Sequence, residues 1–143
     1  MMMIQPRILV INDDRALIET RRMLLEDCGA IVFTARGSEE ALRETVRDAV
    51  DLVLIDATNV GLEQGEKLCR IVKTMRPSEC VAMLVTPEID ILSNTLADRV
   101  IYRTGPRRIL VELNEILNGR LDLDLWEGKH LDEDEDRSTR RSE

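Results

Sequence analysis

Short, unbroken apolar runs alternate along this chain with segments whose apolar residues recur every three or four positions. Ile8–Ile11, Leu52–Ile55 and Val81–Val85 are continuous apolar runs rich in β-branched residues. Such runs read as strands buried on both faces, the habit of a parallel sheet lying under helices. Ile31–Thr34 and Val100–Tyr102 read as shorter strands. Leu17, Ile18, Leu24, Leu25 and Cys28 mark one face of a helix that Gly29 stops. Ser38 is placed to cap a second helix carrying Ala41, Leu42, Thr45, Val46 and Ala49 on one face. Asn59, Gly61 and Gly65 read as a loop, and Leu68, Ile71, Val72 and Met75 line a helix closed by Pro77. Residues 87–98 leave room only for a short helix. Pro106 opens a last helix with Ile109, Leu110, Leu113, Ile116 and Leu117 inward, ending at Gly119. Five strands alternating with five helices predict an α/β fold, a doubly wound parallel sheet with right-handed crossovers.

The pattern changes character after that helix. Residues 1–120 form the expected domain, and residues 121–143 hold nine acids against four basic residues. Composition there predicts an acidic C-terminal tail, with about 130–143 unable to bury enough surface to order. Trp126 reads as packing back onto the domain, and His130 as a solvated residue. The length of 143 residues suits one domain. No apolar stretch approaches the ~18 residues of a membrane span, and no signal peptide is visible, so a cytoplasmic protein without a membrane partner is expected. A net charge of −8 argues against a nucleic-acid partner. Cys28, Cys69 and Cys80 share no metal or redox spacing and read as structural thiols.

The candidate chemistry lies where apolar runs end. Asp13 and Asp14 follow the first strand and Asp56 the third. Ligands bind at the carboxyl ends of strands in open α/β sheets, so neighbouring strands would gather three carboxylates. Mutual repulsion there calls for a cation, and hard oxygen donors favour Mg²⁺ or Ca²⁺. Helix capping explains one of the paired aspartates without any metal. Thr86 follows the fourth strand and Arg103 the fifth.

Residues 7–119 resemble the receiver domain of two-component response regulators. The marks are Asp13-Asp14 after the first strand, Asp56 after the third, Thr86 after the fourth, and Arg103 where that family has a lysine. The resemblance implies a flavodoxin-like (βα)5 fold with strand order 2-1-3-4-5, in a stand-alone receiver. It also implies phosphoryl transfer to Asp56 from a histidine kinase or phosphotransfer protein, with no external turnover. Mg²⁺ would be held by Asp13, Asp14, Asp56 and the carbonyl of Thr58. The Thr86 hydroxyl and Arg103 would bind phosphoryl oxygens. Only 24 residues follow Gly119, so output would come from binding a downstream protein.

The chain departs from that pattern in several places. Arginine replaces lysine at 103, and the two are not interchangeable in a tight site. Thr104 stands where a proline is usual, and Pro87 removes a backbone N–H beside Thr86. Val100 occupies the place of an aromatic switch residue, and Val60 that of a loop proline. These departures favour, as the alternative, a degenerate receiver acting only as a protein-interaction module. A flavodoxin-like flavin or nucleotide binder is disfavoured, because Asn12-Asp13-Asp14-Arg15 would repel phosphate and no glycine-rich phosphate loop is present.

Overall fold

The computed structural model describes residues 4–86 and 94–130. Five parallel strands, β1 (Arg7–Ile11), β2 (Ile31–Ala35), β3 (Leu52–Asp56), β4 (Val81–Val85) and β5 (Arg99–Tyr102), form one sheet in the order β2-β1-β3-β4-β5. The expected flavodoxin-like order 2-1-3-4-5 is the observed one. Helices α1 (Arg15–Glu26), α2 (Gly37–Arg47), α3 (Leu62–Met75) and α4 (Pro106–Ile116) alternate with them. The short helix expected within 87–98 falls mostly on residues outside the described ones; 94–98 are not helical.

Burial on both faces explains why the central runs are continuously apolar. Every residue of β3 and β4, and all of β1 except Arg7, is buried. Alternate residues of β1 feed two cores: Ile8 and Val10 pack with Leu25, Leu110 and Leu113, while Leu9 and Ile11 pack with Leu68, Cys69 and Val72. Gly65 lies inside α3, not in the preceding loop. A Cβ there would come within 2.9 Å of Ala57 Cβ and 3.1 Å of Met83 Sδ, so its bare backbone lets α3 press onto the sheet beside the end of β3. The second helix starts at Gly37 with Arg36 as its N-cap, ahead of the Ser38 expected to cap it.

The largest departure is at the C-terminus. Residues 123–130 form a fifth helix, α5. Leu121 and Trp126 are each 3 % exposed and join the core of Ile8, Leu25 and Leu113. Trp126 thus packs back onto the domain as expected, and residues 121–130 belong to the folded body; the stretch expected not to order, about 130–143, lies almost wholly outside the described residues. Two large apolar side chains outweigh the acidic composition of 121–130 by burial. His130 is likewise not merely solvated: its ring stacks on Trp126, centroids 4.9 Å apart, and its Nε2 lies 3.1 Å from Asp27 Oδ2. Residues 131–143 lie outside the described ones.

Candidate functional site

All five strands run the same way, so Asn12, Asp56, Thr86 and Arg103 come to one edge of the sheet. Asp56 ends β3 opposite Leu84 of β4, with Ile11 and Ile55 paired on its other side. Its side chain is fully buried, and both carboxylate oxygens are engaged. Oδ1 accepts from the Thr58 N–H at 3.0 Å and from the Thr58 hydroxyl at 2.6 Å. Oδ2 accepts from Arg21 Nε at 2.9 Å.

Arg21 is the residue that sequence reasoning missed. It lies on the inner face of α1, in register with Ile18, Leu25 and Cys28, and is only 8 % exposed. Its Nη2 is buried without a hydrogen-bond partner among the described residues, so Asp56 is the contact that compensates its charge. The sequence carries a signal for it only in hindsight of the fold: residues 18, 21, 25 and 28 are spaced by three, four and three, a helix face on which arginine is the one polar member.

The paired aspartates do not join Asp56. Asp14 is the N-cap of α1, its Oδ1 accepting from the N–H groups of Ala16 and Leu17 at 2.8 and 3.2 Å. Asp13 is exposed, and its backbone carbonyl, not its carboxylate, takes the Arg36 guanidinium. The residue that reaches the neighbourhood of Asp56 from the end of β1 is Asn12, 2 % exposed. Its Nδ2 donates to the Asp56 carbonyl at 2.6 Å and to Asn59 Oδ1 at 2.7 Å. Its Oδ1 accepts from the Asp14 N–H at 2.6 Å. Among the described residues no three acids, histidines or cysteines are grouped to hold a metal ion.

With Arg21 in place, these donors do not fit a divalent cation. The one buried carboxylate is already bound to a guanidinium and a threonine, the capping carboxylate serves a helix end, and the neighbour is a neutral amide. A metal ion at Asp56 would also meet the Arg21 charge across a desolvated pocket.

Thr86 is half-buried two residues past Leu84, and its side chain makes no hydrogen bond among the described residues. Arg103 is exposed; its N–H donates to the Val85 carbonyl, while its side chain makes no ion pair to Asp56. With Thr20, Arg21, Met23, Thr104 and Pro106 it lines a groove of 460 Å³ between α1 and α4. The expected cation of the site is thus Arg21 in place of Arg103. Pro87 lies outside the described residues. Elsewhere, burial pushes the Cys28 and Cys69 thiols up to about 12 and about 11, which keeps them protonated and poor nucleophiles.

Comparison with solved structures identifies the fold class. A CheY-like response regulator receiver domain from Methanospirillum hungatei JF-1 matches with a TM-score of 0.68 and 25 % identity, over 82 % of this chain and 97 % of that one. A response regulator from Thermotoga maritima matches at a TM-score of 0.68 and 23 % identity, over 80 % and 99 %. The response regulator TrrA of Thermotoga maritima, crystallised in complex with Mg(2+)-BeF, matches at 0.65 and 22 %, over 78 % and 99 %. No family model matches the sequence, and no curated protein matches it. The chain has the fold of CheY-like response regulator receiver domains. That fold supports a part in two-component signalling. No helix among the described residues is long and apolar enough to cross a membrane.

Proposed function

We propose that this chain is a receiver-type signalling module that acts by binding other proteins, with Asp56 kept as the partner of an internal ion pair. The carrying observation is the Asp56 carboxylate, fully buried with Thr58 on one oxygen and Arg21 on the other. In-line attack on a phosphodonor needs a free carboxylate oxygen and a cation to gather the charge of the transferring group. Here the oxygens are occupied, and the cation is tied to the nucleophile. The partners are a signalling protein upstream and a downstream protein target in the cytoplasm.

The second reading is phosphoryl transfer to Asp56 from a histidine kinase or phosphotransfer protein, with Mg²⁺ as in the family. The place of Asp56 at the carboxyl end of β3, with Thr86 at the end of β4, favours it. One experiment separates the two. Incubation with acetyl phosphate and Mg²⁺, read by intact mass, should leave the wild-type chain unmodified. An adduct of about 80 Da, one phosphoryl group, that is absent from Asp56→Asn would establish the phosphoacceptor reading instead.

A further inference from the structure

We infer that Arg21 is the resident cation of the Asp56 site and excludes a divalent ion from it, so that the chain's electrostatic balance is built in and metal-independent. The inference rests on the reading above in taking Asp56 as the partner of an internal ion pair.

A buried carboxylate without a counter-charge is costly, so something must offset Asp56. Three kinds of group could do so here. Backbone and side-chain dipoles contribute through the Thr58 N–H and hydroxyl, both on Oδ1. The amide of Asn12 is spent on the Asp56 carbonyl and Asn59 Oδ1, not on the carboxylate. The full positive charge comes from Arg21, 2.9 Å from Oδ2. Arg21 is held there by helix register, since Ile18 and Leu25 on either side are buried and Leu25 is packed in the core. A guanidinium suits this role because it stays charged and is weakly hydrated, so it tolerates burial better than an ammonium. Asn12 completes the arrangement. A carboxylate in its place would add a negative charge next to Asp56 that one arginine could not neutralise. Cation from α1 and neutral amide from β1 are therefore one device: a single positive charge balances a single negative one.

The test uses the whole chain and Mg²⁺ alone, with NaCl at matched ionic strength as control. Wild type should melt at the same temperature with and without 10 mM Mg²⁺, to within about one degree. Arg21→Met should lower the melting temperature by about ten degrees or more, because it leaves Asp56 buried and uncompensated. Mg²⁺ should then restore part of that loss in a saturable way. Arg21→Met with Asp56→Asn should lose both the penalty and the response to Mg²⁺. Saturable stabilisation of the wild type by Mg²⁺ that Asp56→Asn abolishes would overturn the inference. So would an Arg21→Met penalty of equal size with aspartate or asparagine at 56, or an Arg21→Met variant that folds and ignores Mg²⁺. Should Arg21→Met fail to fold, the Arg21 Nε–H signal in a ¹⁵N correlation spectrum of wild type decides. It should hold its position through a Mg²⁺ titration and move in Asp56→Asn; movement with Mg²⁺, or none in Asp56→Asn, counts against the inference. An 80 Da adduct in the phosphodonor experiment would sink the binding-module reading of Asp56 while leaving these melting results to stand or fall on their own.

Discussion

Strand β3 is flanked by an aspartate at each end, and each meets an arginine, but only one pair is out of water. Asp51, just before Leu52, lies 3.0 Å from Arg120 Nη1, with about a third of each side chain exposed. Asp56, at the other end, lies 2.9 Å from Arg21 Nε, with 0 % and 9 % exposed. The separations are nearly equal and the energetics are not. Solvent screens the Asp51 pair and holds its net worth below about 1 kcal/mol. At Asp56 both ions have lost their hydration, so attraction mostly offsets desolvation, and removing either partner strands the other. Apolar residues of similar volume would hold the fold as well or better. Stability alone therefore does not account for Arg21, and geometry by itself says little about what an ion pair contributes.

The largest expected effect breaks the pair at the buried end. Arg21→Met should cost about 3–5 kcal/mol in urea unfolding, and the double variant with Asp56→Leu far less than the sum of the two single changes. Additive costs would mean that the two groups do not compensate each other.

A second, slightly smaller effect asks what holds the exposed end. Arg120 leads directly into Leu121 and α5, and its guanidinium also reaches the carbonyls of Ile4 and Gln5. If burial anchors this segment and charge does not, Trp126→Ala should cost roughly 3 kcal/mol, in the range for a buried aromatic. Residues 121–130 are then part of what holds the fold together, not an appendage to it. A chain ending at Arg120 should lose about as much, measured by circular dichroism in urea. A loss under about 1 kcal/mol would return 121–130 to the status of a tail.

What the sequence showed and what it hid follow from the same physics. The strands were legible because a strand covered on both faces must be apolar throughout, and Asp56 stood out as the charge that ends such a run. The paired aspartates misled because a charge just past a strand serves equally as a helix cap, and Asp14 took that role. Asn12, the residue that turns toward Asp56, carries no charge to draw attention. Arg21 was hidden because helix faces are traced through their apolar members, which pass over the one polar residue in register. Trp126 was read as packing back onto the domain, and it does, but Leu121 was hidden in an acidic stretch whose strict alternation imitates a strand where the chain turns into a helix. Gly65 was taken for a loop residue, although it serves inside α3, where close approach to Ala57 excludes any side chain.

The smallest effect sharpens the comparison through pH. Arg120, by a hydrogen bond to its carboxyl, and the Arg7 N–H hold Asp51 below the ordinary carboxylate value of 3.8, against the opposing pull of partial burial. A carboxyl depressed in the fold gives stability that is complete above its unfolded value and is lost as pH falls through the folded one. Arg120→Met should therefore be less stable than wild type by under about 1 kcal/mol at pH 7 and at pH 5 alike. The gap should close below pH 3.8, as Asp51 takes up its proton. Asp98 is also held low. Burial opposes this, but the Lys73 ammonium and the Val81 N–H outweigh it, and the residue is unchanged in both chains, so it cancels in the difference. Glu79 has the opposite sign. Burial raises it above 4.5, so its ionisation costs stability as pH rises through the folded value, and it too cancels. Urea midpoints for the two chains between pH 7 and pH 3 give the result directly. A gap that persists undiminished at pH 3 would show that Arg120 acts through the backbone carbonyls of Ile4 and Gln5. The pair at the exposed end would then contribute nothing, and the contrast with Arg21 and Asp56 would widen.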